Sequence, residues 1–72
     1  MSYIEFKNSQ NTVLKLEEIT FCKKNYFPED DDYWIDTNIM SMYYDDRRLA
    51  DREYKKLKNA LLKKGKKNVE SN

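Results

Sequence analysis

Tyr3 to Lys7 alternates, with Ile4 and Phe6 on one side and Tyr3, Glu5 and Lys7 on the other. A period of two marks a half-buried strand. Asn8-Ser9-Gln10-Asn11 supplies turn chemistry, after which Leu14 and Leu16 share a face against Val13 and Lys15, so a hairpin is predicted. Glu17-Glu18 interrupts the pattern as a tight turn or bulge does. Ile19 to Tyr26 resumes it, with Ile19 and Phe21 set against Thr20, Cys22 and Lys24. Phe27-Pro28-Glu29-Asp30-Asp31-Asp32 predicts an exposed loop, since proline cannot donate to a ladder and consecutive acids resist burial. A fourth strand is expected from about Tyr33 to Tyr43. One face carries Tyr33, Ile35, Thr37 and Ile39, and the other Trp34, Asp36, Asn38 and Met40. The isoleucine-bearing face is the expected core.

After Asp45 the period changes. Ala50, Tyr54, Leu57 and Leu61 fall at i, i+4, i+7 and i+11, one stripe of an α-helix. Asp45 or Asp46 can cap its first free amides, Gly65 suits the left-handed position past its end, and Asp51 is spaced to pair with Lys55. The apolar stripe has one use within the chain, which is to cover a sheet. The expected fold is therefore α+β, a small antiparallel four-stranded sheet packed by one C-terminal helix (ββββα). Residues 1–65 make one domain and residues 66–72 a flexible basic and polar tail.

Length then limits the core. A chain of 72 residues buries only roughly 60% of its unfolded surface, and domains of this size lean on disulfides, metals or self-association. One cysteine, Cys22, and no histidine leave no intrachain disulfide and no common zinc ligand set. Packing or dimerisation remains, and a homodimer is expected. A lone thiol fits a reducing compartment. Met1 to Gln10 holds Glu5 and Lys7 without an apolar core, so it does not read as a signal peptide. No apolar run is long enough to span a bilayer, and the helix stripe is too narrow, and too much needed by the core, for a membrane surface. A cytoplasmic protein is expected.

The net charge of +1 conceals a division. Through Asp46, ten acids stand against four bases, a balance of −6; from Arg47 onward, ten bases stand against three acids, a balance of +7. Such a split implies two surfaces of opposite sign, or subunits meeting head to tail.

Two charged segments and one aromatic are the candidate sites. Glu29, Asp30, Asp31 and Asp32, extended by Asp36, can imitate a phosphate track and enter a basic groove on a partner; the plainer reading is a solvated hairpin loop. Their spacing lacks the alternating oxygens, central glycine and distal glutamate of a calcium loop, so no metal is assigned. Trp34, flanked by Asp32 and Asp36, is either an exposed anchor for that partner or the cover of the second sheet face. On the helix, Lys55, Lys56, Lys63 and Lys64, with Lys66 and Lys67 beyond it, can neutralise nucleic-acid phosphates or simply form a solvated face. Catalysis finds no support: there is no histidine base, no activated Cys22 and, with one glycine, no phosphate-cradling loop. No enzyme activity and no cofactor are expected.

A short strand ending in Asn8, a second strand, Leu16-Glu17-Glu18-Ile19, an aromatic-rich strand and a closing helix with Tyr54, Leu57 and Leu61 together resemble small phage-encoded accessory and anti-defence proteins, anti-CRISPR proteins among them. The resemblance is one of element order and composition across most of the chain. It implies stoichiometric inhibition or modulation of a host or defence-system protein, with Glu29, Asp30, Asp31, Asp32, Trp34 and Asp36 as the contact. The alternative is a nucleic-acid-binding accessory protein that uses the basic helix.

Overall fold

In the computed structural model, which describes residues 2–64, β1 (Tyr3–Glu5) and β2 (Val13–Lys15) form the expected hairpin with Ile4 opposite Leu14. Asn8 shapes the connection. Its side-chain oxygen accepts from the Thr12 amide and its side-chain nitrogen donates to Thr12 Oγ1, both at 2.9 Å. Asn11 takes a φ of 49°, a left-handed conformation that asparagine tolerates well among non-glycine residues.

Leu16–Glu18 is a 3-10 turn, not a bulge within a continuing sheet. Ladder pairing restarts only at β3 (Cys22–Phe27), so residues 19–21 are under no strand alternation. Ile19 and Phe21, expected on one face, therefore part: Ile19 is buried and Phe21 is 49% exposed. The link is held instead by Asn38, which accepts from the Thr20 amide at 2.8 Å and donates to the Glu18 carbonyl at 2.9 Å.

The long fourth strand of the sequence reading is two strands, β4 (Asp32–Thr37) and β5 (Ser41–Tyr44). Thr37 breaks it. Its hydroxyl accepts from the amides of Ile39 and Met40 at 3.1 and 3.0 Å and donates to the Met40 carbonyl at 2.8 Å, closing a turn over Asn38-Ile39. Tyr33, Ile35 and Thr37 are buried as expected, but Ile39 sits on the turn and is 41% exposed. β3, β4 and β5 form an antiparallel three-stranded sheet in that order. The α+β class stands, but the single four-stranded sheet is replaced by sheets of two and three strands, because the 3-10 link cannot carry a ladder from β2 into β3.

α1 spans Arg47–Lys64. Asp46 caps it, accepting from the amides of Arg48 at 2.9 Å and Leu49 at 3.4 Å. Ala50 and Leu57 are fully buried, and Tyr54 and Leu61 pack half-buried beside them. This stripe lies on the three-stranded sheet, and one core joins it to Ile4 and Phe6 of the first hairpin region and to Ile35, Met42 and Tyr44. Each such aliphatic or aromatic side chain contributes about 1.5–3 kcal/mol before entropy is subtracted. Gly65 and the tail of residues 66–72 lie outside the described residues.

Candidate interaction face

The register of the three-stranded sheet sorts its side chains into two sets. Cys22, Lys24, Tyr26, Tyr33, Ile35, Thr37, Met42 and Tyr44 turn toward α1. Phe27, Asn25 and Lys23 of β3, Asp32, Trp34 and Asp36 of β4, and Tyr43 and Ser41 of β5 occupy the opposite, outer face. Strand alternation alone decides this.

Trp34 stands at the centre of that outer face, half-buried against Tyr43, with ring centroids 5.2 Å apart and planes tilted by 58°. Phe27, 41% exposed, stands opposite Asp32 on the neighbouring strand. Tyr43 donates its hydroxyl to Asp32 at 3.0 Å. That hydrogen bond, followed by desolvation and the negative field of Asp32, Asp45 and Asp31, holds the Tyr43 phenol above its usual range. The acidic end of the face thus includes Asp45, which sequence spacing had assigned only to helix capping.

Pro28–Asp30 forms a 3-10 turn and Asp31 takes the left-handed conformation (φ 54°), so β3 and β4 join in a tight exposed connection. Glu29, Asp30 and Asp31 are exposed there, at the end of the sheet where Asp32 begins β4. Among the described residues, none of Glu29, Asp30, Asp31 and Asp32 is in an ion pair. Asp36 shares the face with Asp32 and Trp34 but lies four residues along β4, about 13 Å from Asp32, opposite Lys23 and Ser41. Five of the six predicted contact residues are thus gathered about the Trp34–Asp32 end, and Asp36 marks the far end.

The basic helix is divided differently. Arg48, Arg52 and Lys55 lie on the stripe opposite Ala50 and Leu57 and are exposed, with Lys58 and Lys63 exposed on its flanks. Lys56 is drawn into the fold: its ammonium donates to the Glu5 carbonyl, lies 3.0 Å from Glu53 and sits over the Phe6 ring. The side chain of Lys64, with Lys66 and Lys67, lies outside the described residues. Asp51 does not meet Lys55 as its spacing suggested. It accepts from the Tyr26 hydroxyl at 2.7 Å and lies 3.8 Å from both Lys24 and Arg47. Burial, then Asp51, pushes the Tyr26 phenol up.

Glu53 went unnoticed in the sequence, although it falls within the buried arc. It is 3% exposed and accepts from the Lys7 amide, from Lys56 and, at 3.4 Å, from the Tyr44 hydroxyl. One carboxylate therefore ties α1 to the end of β1 and to β5. Cys22 is half-buried beside Tyr54, whose phenol is pushed up first by desolvation and then by the thiol.

A shallow cleft of about 240 Å³ between the β1–β2 loop and Tyr43–Asp45 adjoins the acidic end of the face. A larger one, about 340 Å³, lies between Leu16–Glu17 and Ala60 and Lys63 and holds none of the predicted contact residues except Lys63. Among the described residues no group of three or more His, Cys, Asp and Glu side chains is placed to hold a metal, and no helix is long and apolar enough to cross a membrane. Comparison with protein families, curated proteins and solved structures found no match to the chain.

Proposed function

We propose that this chain is a small non-catalytic binding protein that inhibits or modulates a host protein by stoichiometric contact, as the phage-type proteins it resembles do. The working surface is the outer face of the three-stranded sheet. The partner presents arginines and lysines, as the groove of a nucleic-acid-processing or defence enzyme does. One observation carries this reading: strand register sets Trp34, Tyr43 and Asp32 side by side, with Glu29, Asp30 and Asp31 next to them and in no ion pair among the described residues. An aromatic pair edged by carboxylates suits a cationic side chain, whose stem packs on the rings while its head meets the acids.

The reading is tested by affinity capture from host lysate with the wild-type chain and with a variant carrying Asp32→Ser and Trp34→Ala. Basic nucleic-acid-binding proteins should be captured by the wild type, displaced by added single-stranded DNA, and lost in the variant while its circular dichroism is unchanged. The same proteins held by both chains, or retained against DNA, would overturn it. A second reading rests on the exposed stripe Arg48, Arg52 and Lys55, with Lys63 beside it, as a phosphate-binding helix face. It requires direct, salt-sensitive binding of DNA or RNA in a mobility-shift assay, which the first reading does not.

A further inference from the structure

The two charged faces lie on opposite sides of the same two-layer body. α1 packs on the inner face of the three-stranded sheet, so its outer stripe and the outer face of the sheet look away from each other. One bears Arg48, Arg52 and Lys55, and the other bears Asp32, Trp34 and Asp36, with a single cation, Lys23, opposite Asp36. We propose that these faces are complementary to each other and that copies of this chain stack front to back, the outer helix face of one seated on the outer sheet face of the next. The inference shares with the proposed function only the use of the sheet face for docking.

Three features favour a second copy as the occupant. The first is sign: the cations on the helix stripe are in no ion pair among the described residues, and neither are the acids of the sheet face. The second is spacing. At 1.5 Å per residue the helix carries Arg48, Arg52 and Lys55 along a line of about 10 Å with Arg52 in the middle. At about 3.3 Å per residue β4 carries Asp32, Trp34 and Asp36 along about 13 Å with Trp34 in the middle. Seated in parallel, the Arg52 guanidinium lies over the indole while the two outer cations reach the two carboxylates, a stacked and charge-assisted arrangement that arginine favours. The third is overall charge: with a net +1, two copies meet without general repulsion.

Because the faces differ and point in opposite directions, the contact is heterologous and leaves one free face at each end of the stack. A face three strands wide is smaller than the ~800 Å² per partner of a stable complex. Association is therefore weak and falls as salt screens it.

Sedimentation equilibrium of the full chain, from about 10 μM to about 1 mM, reads this directly, in low salt and again at a Debye length of ~3 Å in 1 M salt. The weight-average mass should climb with concentration in low salt and return to that of the monomer in high salt. Asp32→Asn with Asp36→Asn should stay monomeric, and so should Arg48→Gln with Arg52→Gln, each keeping wild-type circular dichroism. An equimolar mixture of the two variants should form dimers and nothing larger, since each supplies the face the other lacks. A wild type that is monomeric throughout, a mixture that stays monomeric, or salt-independent association would each overturn the proposal. None of these outcomes bears on the capture experiment above, which tests the partner reading alone.

Discussion

Glu53→Ala is the substitution from which the fold has most to lose for the smallest change in apolar area. The wild-type carboxylate is 3% exposed, accepts from the Lys7 amide and the Tyr44 hydroxyl, and faces the Lys56 ammonium at 3.0 Å. A hydrogen bond to a buried charge is worth about 1.5–3 kcal/mol. The Tyr44 contact, at 3.4 Å, is long and belongs at the bottom of that range. Lys56 is partly exposed and its ion pair is screened accordingly. Removing the carboxylate also leaves the Tyr44 hydroxyl facing a cavity inside the core. The expected loss is about 2–4 kcal/mol, against a total of roughly 5 kcal/mol for a domain this small. That should lower the melting temperature by about 10–25 °C. Glu53→Gln retains the shape and one acceptor, so about half the loss is expected. Urea unfolding followed by far-ultraviolet circular dichroism measures both variants. The reasoning fails if Glu53→Ala unfolds within 0.5 kcal/mol of the wild type, or if Glu53→Gln is as damaging as Glu53→Ala.

Two further outcomes follow from the core. Leu57 is fully buried at the centre of the helix stripe, so Leu57→Ala should cost about 2–5 kcal/mol and leave the chain largely unfolded at 37 °C by near-ultraviolet circular dichroism; a cooperative transition at the wild-type temperature would contradict the helix–sheet packing. The phenols of the half-buried Tyr26 and the buried Tyr44 are held above their ordinary value of 10.0, chiefly by desolvation and then by Asp51 and Glu53 respectively. A raised native pKa means that the folded state keeps protons the unfolded state releases, so this stability is complete below pH 10 and drains away as the pH rises further. Absorbance at 295 nm and circular dichroism should therefore show tyrosinate formation at these two sites coinciding with alkaline unfolding, and Tyr26→Phe should make stability fall less steeply with pH above 10. Ionisation of both phenols in a chain that stays folded would refute the assignment.

The helix was the most legible part of the sequence, because a 3.6-residue stripe, an aspartate cap and a lysine-rich end all report the same element. Strand faces were legible wherever pairing enforces alternation: Tyr33, Ile35 and Thr37 inside, Trp34 and Asp36 outside. Two failures share a cause. Alternation was extrapolated through Ile19–Phe21 and through Asn38–Met40, where side chains, not ladders, satisfy the backbone. Thr37 followed by Asn38 was the available signal for the second, since both compete with strand pairing for backbone groups. The acids and Trp34 of the proposed contact face were visible as residue types in the sequence, but the placement of Tyr43 beside them follows only from the β4–β5 register, which required the turn to be placed correctly. Glu53 was illegible for another reason. Charged residues are almost never fully buried unless paired, and its principal partner is a backbone amide 46 residues away.

The charges of this chain fall into two populations, and both proposed contacts draw on only one of them. Some charges are paired within the fold: Lys24 and Arg47 with Asp51, Lys56 with Glu53. The cations of these pairs are 43–65% exposed, so water and salt screen them in part. Charges that look outward are largely sorted by sign, with Asp32 and Asp36 on the outer sheet face beside a single cation, Lys23, and with Arg48, Arg52 and Lys55 on the helix, so the molecule is nearly neutral yet dipolar. A dipole of this kind attracts a basic protein at one face and an acidic one at the other, and both attractions fade within about 10 Å in 0.1 M salt. The proposed self-stacking draws on the same sheet face as the proposed basic partner. A fraction of the chain held in stacks lowers the apparent affinity for that partner by the same fraction. At micromolar concentration a weak stack leaves the face almost wholly free, and the partner meets no competition. At millimolar concentration the proposed stacking makes the chain's own Arg48 and Arg52 the competitor, and binding of the proposed partner per molecule should decline. Neutralising those two arginines should remove that decline without weakening the partner contact, because neither residue lies on the sheet face.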